Sequence, residues 1–238
     1  MRRLRGGAAA AVVLVFAVAG CKAETKTGSG GPEQTGGGGA ALTAAESLTV
    51  KGRAPKTGYS RERFGTAWAD TDSNSCDTRD DILKRDLDDV KFTGGTCKVS
   101  YGVLESDPYS GKQVAYRRGR SLVDIDHMVA LSDAWQKGAK YWDAGKRIAL
   151  ANDPLNLLAV DASTNRSKGD GDTATWVPPN KAFRCTYVAA QVAVKKKYGL
   201  WVTAAEKAAM ERVLRTCPGQ KLPSGGNPTK APSRFHAG

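Results

Sequence analysis

Four cysteines, Cys76, Cys97, Cys185 and Cys217, stand in a chain that opens like an export signal, and this combination restricts the fold more than any other feature. Residues 1–5, Met-Arg-Arg-Leu-Arg, are basic, and residues 8–19 are an apolar run of Ala, Val, Leu and Phe. Such a run is too short to span a bilayer comfortably and fits a secretory signal. An even set of cysteines in an exported chain is expected to form disulfides. Of the three possible pairings, Cys76–Cys97 and Cys185–Cys217 are favoured, because each closes a short loop within one segment. Loops of roughly 20–30 residues stabilise by on the order of 3 kcal/mol each. A zinc site made of all four thiolates is the competing reading, but it lacks a C-x-x-C pair.

The fifth cysteine, Cys21, follows Val18-Ala19-Gly20 in the pattern of a bacterial lipobox. It is expected to be lipidated and to become the mature N-terminus, anchoring an exported chain on the outer face of the membrane; the plainer reading is a signal peptide with a chance cysteine. Residues 1–20 are thus a lipoprotein signal. Residues 21–58, with four consecutive glycines at 36–39, read as a flexible tether. Residues 59–218 are long enough for one domain with a real core, and residues 219–238 return to Gly, Pro, Ser and Lys and read as disordered. The formal net charge is +12, and most of it lies in the flanks. Within the domain the basic excess falls in residues 101–218, with 18 Lys/Arg against 12 acids. A basic surface favours polyanions, although a solvated basic face explains that excess equally well.

The apolar periodicity predicts an α+β domain. Ile82, Leu83 and Leu87 suit a short helix capped by Asp77 or Thr78. Residues 97–104 and 112–116 alternate and form an antiparallel hairpin about Asp107-Pro-Tyr-Ser-Gly-Lys. Leu122-Val-Asp-Ile-Asp-His-Met-Val is the next strand, with Val123, Ile125 and His127 on one face and Asp124 and Asp126 on the other. A helix is predicted over 132–151, a short β-run over 156–160, and a helix starting at Asp161 or Ser163. Further helices span 181–198 and a stretch opened by a capping box, Thr203-Ala-Ala-Glu206. Strand, Asp-His, strand and helix make a ββα unit with a helical insertion.

His127 is one of two histidines, and the other, His236, lies in the tail. Imidazole chemistry therefore runs through His127. Asp126 precedes it, and Asn156, Asn165 and Lys168 come later, in the second strand and helix. Phosphodiester hydrolysis needs an activated water, charge neutralisation on the phosphate and a stabilised leaving oxygen. A neutral imidazole serves the first need. A carboxylate and an amide oxygen are hard ligands suited to one Mg²⁺, or else Mn²⁺. Arg117, Arg118 and Arg120, and Lys195, Lys196 and Lys197, are candidate holders of flanking phosphates, though the lysines equally complement a helix C-terminus. A Ser/His/Asp hydrolase built on His127 has no G-x-S-x-G elbow to support it.

In Asp124-Ile-Asp-His-Met-Val, Asn156-Leu and Thr164-Asn-Arg-Ser-Lys-Gly-Asp the chain resembles the HNH, or ββα-metal, endonucleases. Over most of residues 59–217 it is similar to small exported bacterial HNH-family proteins related to the C-terminal nuclease domain of Gmr-type modification-dependent restriction enzymes. The shared pattern includes Cys76-Asp-Thr-Arg-Asp-Asp, Ala134-Trp135, Ala151-Asn152-Asp-Pro-Leu-Asn156-Leu, Pro178-Pro179-Asn180, Cys185 and Tyr187. The resemblance implies a ββα-metal core carrying an inserted helix, an N-terminal hairpin and C-terminal helices. It implies His127 as general base, Asn156 orienting its loop, Asp126 and Asn165 as metal ligands, and Lys168 and Arg166 on phosphate. It implies action on nucleic acid, DNA before RNA, and the chain is expected to be a monomer. The family often has proline three residues after the histidine and zinc-binding C-x-x-C pairs; here Ala130 stands at the first position and the second are absent. A surface lipoprotein that binds DNA without cutting it is the alternative.

Overall fold

The computed structural model describes residues 39–237, so the expected signal, Cys21 and the first part of the tether, residues 21–38, lie outside the described residues. The helices are α1 (Ala40–Glu46), α2 (Thr78–Asp86), α3 (Leu131–Gln136), α4 (Ala144–Ala151), α5 (Ala162–Lys168), α6 (Arg184–Tyr198) and α7 (Ala204–Leu214). The strands are β1 (Asp88–Phe92), β2 (Val99–Leu104), β3 (Val114–Arg117), β4 (Val123–His127) and β5 (Leu157–Asp161). Strands β1, β2 and β3 form an antiparallel meander, and β4 pairs antiparallel with β5 from Val123↔Asp161 to His127↔Leu157. Helix α5 comes directly after β5, while α3 and α4 fill the connection between β4 and β5. The domain is α+β.

Strict alternation in β4 and β5 turns Val123, Ile125, Leu157 and Ala159 toward one side. They pack there with Ile82 and Leu83 of α2, Val99 and Leu104 of β2, and Tyr116 of β3. Fully burying such a side chain stabilises by about 1.5–3 kcal/mol, so this layer holds the β4–β5 pair against the meander. Asp77 caps α2, accepting from Asp80 N at 2.7 Å, as its position predicts. Asp80 is itself buried, accepting from Val99 N at 3.0 Å and from Arg118, which ties α2 to β2. Strand β1 went unpredicted because Asp88-Asp-Val-Lys-Phe carries little β signal. It is a bulged edge strand with Asp89 at φ 50°, and its charges discourage edge pairing.

Four expectations are corrected. The helix over 132–151 is two helices, because Gly138 takes φ 130°, which no helix holds, and Asp143 caps a new start by accepting from Lys146 N at 2.8 Å. The tether does not reach residue 58: α1 buries Ala41, Leu42 and Ala45 among residues of α6 and α7, and Val50 bridges Val202. The tail is docked over its described residues. Phe235 packs near Phe64 and Ile148, Ala231 N donates to Gly145 O at 3.1 Å, and Asn227 N donates to buried Asp153 at 3.2 Å. Composition concealed this because backbone groups and a few apolar side chains do the anchoring. Finally, the capping box is half formed. Thr203 accepts from Glu206 N at 3.1 Å, but the Glu206 carboxylate turns inward to Lys137 at 2.6 Å and Lys195 at 3.0 Å. Two ammonium groups with no exposure need that anion more than a helix end does.

The disulfides pair as expected. Cys76–Cys97 fastens the turn before α2 to the start of β2, and Cys185–Cys217 joins the first turn of α6 to the residues after α7.

Candidate active site

His127 closes β4, and the turn after it is held by Asn156, the residue before β5. Asn156 O accepts from Met128 N at 2.8 Å, its Oδ1 accepts from Val129 N at 2.8 Å, and its Nδ2 donates to Val129 O at 3.3 Å. These bonds replace one further rung of the β4–β5 ladder and set where the strand turns away. Asn156 is fully buried and its side chain bonds to backbone alone, so it positions the histidine loop. No proline is needed at Ala130, because the loop is fixed from across the pair.

The His127 ring lies 2.8 Å through Nε2 from Ala151 O, at the end of α4. A carbonyl oxygen only accepts, so Nε2 carries the hydrogen and Nδ1 of the neutral ring keeps its lone pair. Burial pushes the imidazole pKa down to about 4, with the charges of Arg61 and Lys168 acting in the same direction. At neutral pH the ring is therefore an uncharged base. The Trp68 indole lies nearly parallel to it, at 12° and 6.0 Å between centroids.

Asp126 is buried on the opposite side of the strand. Tyr109 donates to its Oδ2 at 2.6 Å and Lys168 to its Oδ1 at 2.9 Å. Burial raises the Asp126 pKa, while Lys168 and the Tyr109 hydroxyl oppose the rise. Lys168 also donates to His127 O at 2.9 Å and has no side-chain exposure. Expected on a phosphate, it instead sits beneath the site and tethers the Asp126–His127 backbone to the end of α5. Asn165, one turn earlier, donates through Nδ2 to Asp124 Oδ2 at 3.3 Å, and its Oδ1 makes no hydrogen bond among the described residues. Asp161 caps this helix, accepting from Thr164 N at 2.7 Å, and so sets the rotation that brings Asn165 beside β4.

A polar cleft of about 350 Å³ gathers Asp126, His127, Asn165 and Arg166 with Arg61 and Tyr59. The structure thus brings together both expected metal ligands, the expected base and one expected phosphate contact. Asn156 stands behind them. Among the described residues no three His, Cys, Asp or Glu side chains converge as a ready-made ion cage. One carboxylate and one amide oxygen nevertheless fit a hard divalent ion that keeps most of its shell as water and substrate oxygen.

The basic clusters are corrected in part. Lys195 is buried against Asp133 at 3.1 Å, Lys197 is held by Asp153 at 2.6 Å, and Arg118 is paired with Asp80. Internal carboxylates use these cations, so neither trio is a free phosphate clamp. The cation that reading the sequence missed is Arg61, exposed, without a salt bridge among the described residues, and on the cleft wall. It lies in a 3₁₀ turn far from the motif in sequence, and only tertiary packing brings it there. Tyr109 was missed for the same reason: its hairpin loop reads as surface, yet the ring is fully buried on Asp126.

A helix-and-strand domain with a buried histidine lining a cleft beside a carboxylate and an amide is consistent with a nuclease domain. The family model described as "GmrSD restriction endonucleases, C-terminal domain" matches residues 77–213, and the chain belongs to that family. A fungal protein from Arthroderma benhamiae (strain ATCC MYA-4681 / CBS 112371), named "Uncharacterized secreted protein", is 42% identical over 172 residues, which are 71% of this chain and 81% of the relative. That relative is fungal, whereas the resemblance read from the sequence is to bacterial proteins. No solved structure matches. A secreted relative and two disulfides are both consistent with export.

Proposed function

We propose that the protein is an exported, metal-dependent endonuclease built on a ββα-metal core. The observation that carries this reading is the placement of His127: its Nε2 is committed to Ala151 O, which leaves Nδ1 as the free ring nitrogen, and the residue lines one cleft with Asp126 and Asn165. The phosphate of the substrate enters the polar cleft between Arg61 and Arg166. His127 Nδ1 takes the proton of a water, whose oxygen forms the new bond to phosphorus while the bond to the leaving ester oxygen breaks. The Nε2–H···O bond holds the ring in place and stabilises the imidazolium. Asp126 and Asn165 would hold one divalent cation, Mg²⁺ before Mn²⁺, which would supply charge neutralisation at the phosphate and stabilisation of the leaving oxygen. Tyr109, Lys168 and Asp124 position these two ligands.

The enzyme acts as a monomer, on DNA before RNA, from the outer membrane face to which Cys21 anchors it. The test is plasmid nicking by the purified protein with Mg²⁺ or Mn²⁺. Nicking should stop with EDTA and in His127→Ala. Undiminished nicking by His127→Ala overturns the mechanism. Binding without nicking across a metal panel leaves a DNA-binding surface lipoprotein instead.

A further inference from the structure

His127 lines two clefts, and phosphodiester hydrolysis uses only one. The second, of about 400 Å³, is walled by Arg61, Phe64, Ala67, Trp68, His127 and Asn152. We propose that it receives one unstacked nucleobase of the strand being cut, next to the scissile phosphate, so that the protein prefers unpaired nucleic acid. The proposal rests on the nuclease reading and names a subsite for its substrate.

Four observations point to a base. The first is a plane: Trp68 is half-buried in the cleft wall, with the imidazole at 6.0 Å between centroids and the Arg79 guanidinium at 5.9 Å from its ring, and neither is at close stacking distance. Every base has a face that stacks on such a ring. The second is the backbone. Trp68 adopts φ 61°, in the left-handed region, while Thr78 N holds its carbonyl at 3.2 Å. Bulky residues avoid that region, and such strain concentrates at functional sites. The third is an acceptor. Asn152 Nδ2 donates to Ile148 O at 3.0 Å, which fixes the amide orientation, and its buried Oδ1 has no partner among the described residues. Each of the four bases carries an N–H donor on its pairing edge, the edge that pockets for extruded bases read. The fourth is charge. Arg61 lines both clefts and makes no salt bridge among the described residues, so a phosphate joining the two positions meets a free cation. A paired, stacked base reaches such a cleft only after leaving its helix, which favours single strands.

The experiment measures binding by the full protein, in EDTA at fixed salt, of two single strands of equal length and charge. One is oligothymidylate and the other carries an abasic residue at every position. The wild type should bind the base-bearing strand about tenfold more tightly, the scale of one stacked base. Trp68→Leu should abolish that preference without altering affinity for the abasic strand, and Trp68→Phe should retain most of it. Equal affinity of the wild type for both strands overturns the proposal, and so does an equal loss for both in Trp68→Leu. Should Trp68→Leu fail to fold, equal affinity of the wild type for both strands still overturns the proposal, and so does a Trp68→Phe variant that loses affinity equally for both. Plasmid nicking is scored separately. A base preference without nicking keeps the subsite and removes the enzyme reading; nicking without a base preference does the reverse.

Discussion

Replacing Lys168 by methionine keeps the length of the side chain and removes its charge. In the native protein Lys168 Nζ donates to Asp126 Oδ1 and to His127 O, both at 2.9 Å, and its side chain has no exposure. The variant leaves Asp126 as a buried anion whose one remaining partner among the described residues is the Tyr109 hydroxyl. Breaking a buried ion pair from one side costs about 3–5 kcal/mol, a large share of the roughly 5–15 kcal/mol that holds a domain together. Urea unfolding at pH 7 in EDTA should show this loss as a lower midpoint with an unchanged slope. Lys168→Met combined with Asp126→Asn should cost less than the two single changes summed, with a coupling of about 2–3 kcal/mol. The penalty of the single variant should also shrink on acidification. Burial already raises the Asp126 pKa from its ordinary value, so stability rises as the group takes up its proton and falls as pH climbs through the raised value. Mg²⁺ should raise the midpoint of Lys168→Met more than that of the wild type, because a cation on Asp126 substitutes for the lost ammonium. A coupling below about 0.5 kcal/mol would refute the argument, since it would mean that the carboxylate is solvated and not held by Lys168.

Three further outcomes are expected from the same structure. His127 titrates at about 4 in the folded protein against 6.5 unfolded, so below pH 6.5 the unfolded chain takes up the proton first; stability is complete above pH 6.5 and falls by up to about 3 kcal/mol as pH drops to 4, a slope that metal-free His127→Gln should lack. Asn156→Ala strands the buried Val129 N–H and frees the histidine loop, costing about 2–3 kcal/mol in thermal or urea unfolding; nicking should fall further than that loss of folded protein explains, and undiminished activity per folded molecule would deny it a positioning role. Glu206→Gln should cost about 3 kcal/mol if the carboxylate neutralises Lys137 and Lys195, and only a few tenths if Glu206 serves merely as a helix-start residue.

The sites that reading along the chain located are those whose chemistry is local. The alternation in Val123–His127, the cap at Asp161 and the spacing from Asn165 to Lys168 predict the strand, the helix start and one helical face. Reading along the chain could not foresee that Lys168 turns under the strand and away from solvent, because that depends on which buried anion lies within reach. The same holds for Lys195 and Lys197, whose charges look free in sequence and are used by Asp133, Glu206 and Asp153. Helix α1 and the docked tail escaped notice because alanines, prolines and glycines carry little periodicity, and their burial depends on surfaces supplied by α4, α6 and α7.

By itself the sequence determined the covalent frame and the reactive set: four cysteines that could close two short loops, one usable imidazole, a carboxylate on one strand, and an amide on the helix that follows the next strand. Those depend on residue identity and short-range spacing. Tertiary structure alone decided which tautomer His127 holds, which cations remain free for a substrate, and that a second cleft, with Trp68 and Phe64 in its wall, opens beside the ring. Each of these depends on burial and on partners distant in the chain, such as Ala151 O, Arg61 and Trp68, and no local pattern encodes them.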